Sequence, residues 1–200
     1  MRDNDKTLRA YEEEPQGYVD KTPPEVVGDL KQWIDLTLSM VGPDARVLEL
    51  GSGFGRDANY IESQGFKVQR TEAAVSFVKM MQHRGDDAIL LNAITGDYGG
   101  PYDLIFADAV LLHFSPGETE TVLKKTHDAL ALGGLFSFRL KAGIGAEWDS
   151  AMKQPRFLQY WLPDELKKVL VANGFVIVWL DEGHSKFNKF TWLQAIARKK

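Results

Sequence analysis

Cysteine is absent from this sequence. Its absence excludes disulfide scaffolds, thiolate zinc sites, iron–sulfur clusters and cysteine nucleophiles, and it fits a reducing compartment. A run of about 18 apolar residues, which a membrane-spanning helix requires, is also absent. Residues 1–14 mix acidic and basic side chains, unlike the apolar segment of a signal peptide. We therefore expect a cytoplasmic protein with no membrane partner.

An excess of basic charge is missing too. The chain has 28 acidic and 24 basic residues, which give a formal net charge of −4. This balance does not favour binding to a phosphate backbone, and we expect no nucleic-acid partner. The 200 residues are 44% hydrophobic, enough for one well-formed core but too few for a second full domain. Because no repeat or low-complexity linker divides the chain, residues 1–200 are predicted to form a single domain.

Motifs that define several enzyme classes are also absent. The sequence contains neither a Gly-x-Ser-x-Gly elbow nor a phosphate loop that ends in Gly-Lys-Ser/Thr, which argues against hydrolases and NTPases. His83, His127 and His184 lie in helical or turn contexts, without the spacing that gathers a metal site. We therefore predict no metal.

Short apolar runs alternate with helical patterns from Arg46 onward. This order is typical of right-handed βαβ units, whose parallel sheet is covered on both faces. The last two strands are joined by the short polar segment 181–189 and must be antiparallel neighbours. The sequence thus predicts an α/β fold: a doubly wound, Rossmann-like three-layer sandwich with a mostly parallel seven-stranded sheet and a C-terminal antiparallel strand pair. The predicted strands are 47–50, 67–71, 88–91, 102–107, 135–140, 175–180 and 190–197.

Capping signals mark the starts of several helices. Thr22-Pro23-Pro24 predicts a helix with apolar residues at helical spacing as far as Gly42-Pro43. Ser115-Pro116-Gly117-Glu118 is a capping box with proline at the first helical position, and the helix that it opens is predicted to run to Gly133. Further helices are predicted at 56–64, 74–83 and 163–172, whereas the polar segment 1–20 is expected to be an arm.

A glycine-rich loop follows the first predicted strand, in the segment Glu49-Leu50-Gly51-Ser52-Gly53-Phe54-Gly55. In an open parallel sheet, ligands bind beyond the carboxyl ends of the strands. Three alternating glycines allow a ligand to approach the backbone closely, and Glu72 supplies a carboxylate at the end of the next strand. A tight turn without any ligand is the simpler alternative, but the carboxylate and the flanking strand and helix favour a binding site.

Two classes of ligand use this geometry. The segment Gly53-x-Gly55-x-x-Ala58 matches the dinucleotide fingerprint, with Glu72 at about the right distance for a ribose. Glu49 argues against that interpretation, because a carboxylate beside the glycine turn would repel a pyrophosphate and attract a cation. S-adenosylmethionine has an amino group, a sulfonium charge and no phosphate, and Glu72 can accept both hydroxyls of its ribose diol.

The stretch 47–74, VLELGSGFGRDANYIESQGFKVQRTEAA, resembles the first two motifs of class I S-adenosylmethionine-dependent methyltransferases. The stretch 102–113, YDLIFADAVLLH, is similar to the fourth-strand motif of that family, and the resemblance covers nearly the whole chain from Tyr18. Glu72 replaces the commoner aspartate, and Asn92 stands where aspartate is frequent. The branch that the chain most resembles is that of small bacterial methyltransferases of unassigned substrate, through Tyr18, Thr22, Lys141, Gly143 and Tyr160.

The resemblance implies a set of site residues around S-adenosylmethionine, with segment 1–42 as an arm and helix that cover it. The implied cofactor-binding residues are Tyr18, Glu49, Gly51, Ser52, Gly53, Gly55, Arg56, Glu72, Ala73, Asn92, Ala93, Ile94 and Asp108. Three of the predicted roles have simpler alternatives. Tyr18 is either a lid or an apolar anchor, Arg56 covers either the ligand or a nearby carboxylate, and His113 is either a general base or a buried histidine bonded to a carbonyl.

His113 and Asp108 are the predicted catalytic residues, because the end of the fourth strand faces the transferred methyl group and a histidine suits proton transfer at neutral pH. Lys141, in a loop with Gly143 and Gly145, is predicted to hold an anionic group of the substrate. The same pocket is predicted to be lined by Arg139, Arg156, Tyr160 and Trp161. The alternative for Arg139 is an exposed position on its strand.

These observations predict an enzyme that transfers a methyl group from S-adenosylmethionine to a small-molecule acceptor by in-line displacement. A noncatalytic S-adenosylmethionine-binding protein is the first alternative. An NAD-dependent oxidoreductase is the second, and it rests on the dinucleotide fingerprint.

Overall fold

The computed structural model describes residues 3–184, except for the side chain of His184, and residues 191–200. Nine strands are present in this part of the chain: β1 (Arg46–Leu50), β2 (Lys67–Glu72), β3 (Ala88–Leu90), β4 (Tyr102–Asp108), β5 (Leu130–Lys141), β6 (Ala146–Asp149), β7 (Arg156–Gln159), β8 (Phe175–His184) and β9 (Thr191–Lys199). The helices are α1 (Asp3–Glu13), α2 (Pro15–Lys21), α3 (Gly28–Leu38), α4 (Arg56–Ser63), α5 (Val75–His83), α6 (Pro116–Ala129) and α7 (Pro163–Ala172), with a 3₁₀ turn at Leu111–His113.

Seven of the strands form one sheet in the order β3-β2-β1-β4-β5-β9-β8. Strands β1 to β5 are parallel, whereas β9 is antiparallel to both β5 and β8. The order reverses at β1, where β2 lies on one side and β4 on the other. This is the switch point at which open α/β sheets bind their ligands. The predicted α/β architecture is confirmed.

Both faces of the sheet are buried, as the near-continuous apolar runs of its parallel strands require. On one face Trp33 of α3 stacks on Phe106 of β4, with ring centroids 4.8 Å apart. On the other face Phe136 and Phe138 of β5 pack among buried side chains of α6 and α7. A buried hydrogen bond between the hydroxyls of Thr37 and Ser137 also ties α3 to β5. The carboxyl ends of the strands are therefore held on a rigid frame.

The N-terminal part of the chain differs from the prediction. The segment expected to be a polar arm forms α1 and α2, and the predicted helix starts at Gly28 rather than at Thr22. Thr22 donates its hydroxyl to the carbonyl of Tyr18, so it closes α2 and does not cap α3. The buried face of α1 carries Asn4, Thr7 and Ala10. Because these residues are polar or small, the helix shows no hydrophobic periodicity.

Two other boundaries differ as well. Helix α6 ends at Ala129, and β5 begins at Leu130, five residues before the predicted start of the strand at 135. Leu130 has extended backbone angles and pairs with Tyr102 of β4. The β6–β7 hairpin was not predicted, because each strand has only four residues and β6 has no buried residue. Phe190, which was predicted to begin the last strand, lies outside the described residues.

No helix within the described residues is both long and apolar enough to cross a membrane.

The capping box at the start of α6 gives a stability prediction. Ser115 Oγ accepts from the Glu118 amide, and the Glu118 carboxylate accepts from the Ser115 amide at 2.9 Å. Ser115→Ala should lower the free energy of unfolding by about 1 kcal/mol, because an amide of the first turn loses its acceptor. Urea denaturation measures this change. Glu120→Ala on the exposed face of the same helix is the control, and an equal loss in both variants would contradict the capping role.

Candidate functional site

A cavity lies at the carboxyl ends of β1, β2 and β4, beneath α1 and α2. Nine of the predicted site residues line it: Tyr18, Gly51, Gly53, Glu72, Ala73, Asn92, Ala93, Asp108 and His113. The other predicted residues, Glu49, Ser52, Gly55, Arg56 and Ile94, are near the same strand ends but are not part of its lining.

The glycine loop forms one wall of the cavity. Gly51 has φ +69°, and a Cβ added there would lie 2.5 Å from Cγ2 of Val110. Gly53 has φ +55° and lies beside the ring of Tyr18. A side chain at Gly51 is therefore excluded both by the left-handed backbone and by Val110. The loop presents its bare backbone to the cavity.

Glu72 is fixed at the end of β2 by three backbone amides. Its Oε2 accepts from the Gly53 amide at 2.7 Å, and its Oε1 accepts from the amides of Ala73 and Ala74. The carboxylate has about four acceptor positions. Three are used in this conformation, and the remaining position on Oε2 can accept a hydroxyl. A contact to both hydroxyls of a diol requires one of the backbone bonds to open.

Glu49 is buried beneath the glycine loop. Burial, together with the nearby charge of Asp57, raises the pKa of Glu49 to about 8. Its Oε2 has no hydrogen-bond partner. Without a bound ligand, Glu49 thus holds its proton at neutral pH, and it does not repel an anion in the way that the sequence suggested. A cation beside it would favour the charged form.

Asp57 and Asp108 are the carboxylates at this edge of the sheet that pair with arginines. Asp108 accepts from Arg139 through Nε at 2.7 Å and Nη2 at 3.0 Å, and from Arg56 Nη2 at 3.1 Å. Burial alone would raise the pKa of Asp108, but the two guanidinium groups outweigh it and lower the pKa. Arg56 also pairs with Asp57. In this structure Arg56 thus covers carboxylates and not a ligand, which is the second of the two alternatives given for it.

Asp57 occupies the first turn of α4 and is buried. Burial and the neighbouring Asp108 raise the pKa of Asp57 to about 6, so it remains largely ionised at neutral pH. A dinucleotide would place its pyrophosphate against this helix N-terminus. A buried carboxylate already lies there, which disfavours a dinucleotide more directly than Glu49 does.

Helices α1 and α2 cover the cavity with polar and aromatic residues that the sequence analysis missed, apart from Tyr18. Tyr18 makes edge contacts with Tyr11 and Phe77, with centroids 5.3 and 5.5 Å apart. The missed lining residues of α1 are Asn4, Thr7, Leu8 and Tyr11. Their spacing places them on one helical face. That spacing was the available signal, but a search for hydrophobic periodicity does not detect polar residues.

His113 is buried at the end of the 3₁₀ turn, with both ring nitrogens engaged. Nδ1 lies 2.8 Å from the Phe157 carbonyl, so Nδ1 carries the proton, because a carbonyl only accepts. Nε2 lies 2.8 Å from the hydroxyl of Tyr11 and accepts from it. Burial lowers the pKa of His113 to about 3, and Arg156 and Lys141 act in the same direction. The ring is neutral at physiological pH, and Nε2 faces Tyr11.

Asn92 links the cavity floor to α1. Its Nδ2 donates to Oδ1 of Asn4 at 3.0 Å, and its Oδ1 accepts from the Ile94 amide at 2.9 Å. The carbonyl oxygen that the resemblance assigns to adenine therefore already holds one hydrogen bond within the loop. An amide oxygen can accept two hydrogen bonds, so one acceptor position remains.

The residues predicted to hold a substrate anion do not converge on one cavity. Lys141 is buried, and the loop after it is tied to the segment that follows β7, because the Gly143 amide donates to the Trp161 carbonyl. Arg156 pairs with Asp149 and donates to the Tyr11 hydroxyl at 3.1 Å. Arg139 lines a separate cavity. Within the described residues no group of three or more His, Asp or Glu side chains is placed to hold a metal.

Comparison with known proteins defines the class of the fold. No protein-family model and no curated protein matches the sequence. Among solved structures the chain is similar to 1,6-didemethyltoxoflavin-N1-methyltransferase of Burkholderia thailandensis, solved with S-adenosylhomocysteine. The two sequences are 20% identical, the match covers 98% of this chain and 87% of that chain, and the TM-score is 0.76. It is also similar to magnesium protoporphyrin IX methyltransferase of Synechocystis PCC 6803, solved with bound S-adenosylmethionine. Here the sequences are 13% identical, the match covers 100% of this chain and 98% of that chain, and the TM-score is 0.75.

A third similar structure is a [4+2]-cyclase, SpnF, with 17% identity, 85% of this chain, 80% of that chain and TM-score 0.68. The chain thus has the Rossmann-like fold of the S-adenosylmethionine-dependent methyltransferases. At these identities the likeness establishes the fold, and this fold supports more than one kind of chemistry.

The buried carboxyl of Glu49 gives a pH-dependent prediction. Its pKa is about 8 in the folded protein and about 4.5 in a free side chain. Between these values the folded state keeps a proton that the unfolded state releases, so this group lowers stability as the pH rises, by up to about 1.4 kcal/mol per pH unit. Glu49→Gln does not titrate and should gain stability relative to the wild type across this window.

Urea denaturation of both proteins without ligand, at about pH 5.5 and about pH 7.5, measures the difference. Glu120→Gln makes the same charge change on the exposed face of α6 and serves as the control. A stability difference for Glu49→Gln that does not change with pH would contradict a protonated Glu49.

Proposed function

We propose that this protein is an S-adenosylmethionine-dependent methyltransferase that acts on a small-molecule acceptor. One observation carries the proposal: the cavity at the switch point joins the bare backbone of Gly51 and Gly53 to the fixed carboxylate of Glu72, and none of its described lining residues is a lysine or an arginine that could bind a phosphate. A cytoplasmic location belongs to the same proposal and is supported by the absence of cysteine.

The lining fits the donor molecule part by part. Oε2 of Glu72 has an acceptor position for a ribose hydroxyl, and Gly51 and Gly53 leave room for the amino-acid portion. The carboxylate of Asp108 also lines the cavity, and a negative charge there complements an ammonium or sulfonium group. Glu49 and Asp57, behind the loop, add to this potential once a cation draws the proton from Glu49.

The donor supplies a methyl group on a positively charged sulfur, with a neutral thioether as the leaving group. The residues of this chain have to hold the acceptor atom about 3 Å from that methyl, in line with the departing sulfur. Tyr11, Tyr18 and Phe77 close the cavity with aromatic surface, which excludes water. The exclusion of water favours methyl transfer, in which the positively charged sulfonium reacts with an acceptor of opposite charge or with a neutral acceptor.

His113 is the proposed general base for an acceptor that must lose a proton. Its Nε2 is unprotonated, but the Tyr11 hydroxyl occupies it in this conformation. Proton transfer thus requires that Tyr11 move aside or that its hydroxyl relay the proton. Asp108 is proposed to act by its charge, because both of its oxygens are bonded to arginines.

A noncatalytic S-adenosylmethionine-binding protein is the second candidate. One observation favours it: burial lowers the pKa of His113 to about 3, which makes it a weak base. Product formation with any acceptor in a broad panel would exclude it.

Calorimetric titration tests the ligand class. S-adenosylmethionine and S-adenosylhomocysteine should bind, NAD should not, and Glu72→Ala should weaken both binding events at least about tenfold, because one charge-assisted hydrogen bond contributes about 1.5–3 kcal/mol. Glu120→Ala removes an exposed carboxylate and should bind like the wild type. Binding of NAD alone would replace this proposal with an oxidoreductase.

The role of His113 is tested with the first acceptor that gives product. His113→Asn should lower turnover by about a hundredfold if the ring is the base, with a smaller change in S-adenosylhomocysteine affinity. Tyr11→Phe removes the hydroxyl from Nε2 and should keep or raise turnover if His113 acts directly. Full turnover in His113→Asn would show that the acceptor needs no base from this residue.

A further inference from the structure

A second cavity lies on the α3 face of the sheet and is not used by the proposed donor site. It is bounded by the start of α3, the end of β5 and the β8–β9 pair. Its charged lining residues are Lys21, Glu25, Asp29, Arg56 and Arg139. Glu25 is exposed, whereas Arg56 and Arg139 are mostly buried, with side chains 14% and 13% exposed. The buried charged groups of the lining are therefore these two arginines, which are paired with Asp57 and Asp108.

Arg139 and Gln194 stand side by side in this cavity. They are register partners on the antiparallel strands β5 and β9, so their side chains share one face about 5 Å apart at Cβ. Gln194 is 4% exposed, and its Nε2 has no hydrogen-bond partner in the part of the chain that the structure describes. Arg139 binds Asp108 through Nε and Nη2, and its Nη1 makes no hydrogen bond among the described residues. Two neighbouring donors are thus left without acceptors.

The N-terminus of α3 adds further donors. Its N-cap residue, Val27, provides no side-chain acceptor, and the amides of Gly28, Asp29 and Leu30 have no hydrogen-bond partner among the described residues. The positive end of the helix dipole therefore faces the same cavity. Asp29 is the opposing group, since its carboxylate lies in that first turn. Trp192 forms a flat wall, with its ring centroid 4.3 Å from Cζ of Arg139.

We propose that this second cavity binds an anionic group, a carboxylate or a phosphate, of the methyl acceptor; the inference rests on the proposed function. The buried donors of Arg139 and Gln194 would bond the anion, and Trp192 would contact the adjoining part of the molecule. Asp108 lies at the boundary between the two cavities, because it lines the donor cavity and is bonded to Arg139, which lines the second cavity. An acceptor whose anion binds at Arg139 would therefore have to reach past this ion pair to the transferred methyl group.

The test uses simple probes on the protein saturated with S-adenosylhomocysteine. Benzoate, phenyl phosphate and the neutral benzamide are titrated calorimetrically, with inorganic phosphate as a further arm. At least one of the anions should bind, and benzamide should bind at least about tenfold more weakly. Tighter binding of benzoate identifies a carboxylate as the recognised group, and tighter binding of phenyl phosphate identifies a phosphate.

Gln194→Leu is the decisive variant. It removes the unpartnered amide at similar volume, so the melting temperature should stay the same or rise, whereas anion affinity should fall about tenfold. Arg139→Gln should also weaken binding of the anion. Lys124→Gln, on the exposed face of α6, makes the same charge change and is the control. Unchanged anion affinity in Gln194→Leu, or equal affinity for benzamide, would overturn the inference.

The two proposals fail in different ways. If S-adenosylhomocysteine binds and none of the anions does, the donor site stands and the anion site is wrong. If S-adenosylhomocysteine does not bind, the proposed function is wrong. In that case, a parallel titration without S-adenosylhomocysteine tests only whether the second cavity binds anions. If it does, and if Gln194→Leu loses this binding, the anion site stands without the proposed function.

Discussion

The buried carboxylate of Asp108 is the group on which the rest of the site depends. It ends β4 and is bonded to Arg139 on β5 and to Arg56 at the start of α4. Removing such charges from water is costly, and the cost is recovered only when the geometry and the hydrogen bonds are good. Here the pairing fixes three elements at the switch point. The same pairing also lies between the donor cavity and the second cavity on the α3 face.

The cover over the donor cavity is held in place by several polar contacts. Thr7 accepts from the Phe157 amide, and the Glu12 carboxylate accepts from the first amides of α5. Tyr11 joins His113 to Arg156. Contacts of this kind are directional, so they set the position of α1 over the cavity more strongly than they contribute to its stability. Opening of this cover is compatible with a stable sheet beneath it.

The parts of the fold that were predicted correctly are those whose signal is local. Apolar runs such as Val47 to Leu50, and the capping box at Ser115, determine strands and helix starts from a few neighbouring residues. The helix with Asn4 and Thr7 on its buried face was missed because its partners, Asn92 and Phe157, are distant in the sequence. The same holds for the short β6–β7 hairpin, which depends on tertiary contacts.

By itself, the sequence determined the alternation of strands and helices of a Rossmann-like fold and the glycine loop with Glu72 at the end of the second strand, because periodicity and turn chemistry are local properties. Only the tertiary structure decided the protonation of Glu49, the pairing of Asp108 and the surroundings of His113. A pKa depends on burial and on charges brought together from several elements. The pairing of Arg139 with Gln194 was decided in the same way, since strand register places side chains together that lie 55 positions apart in the sequence.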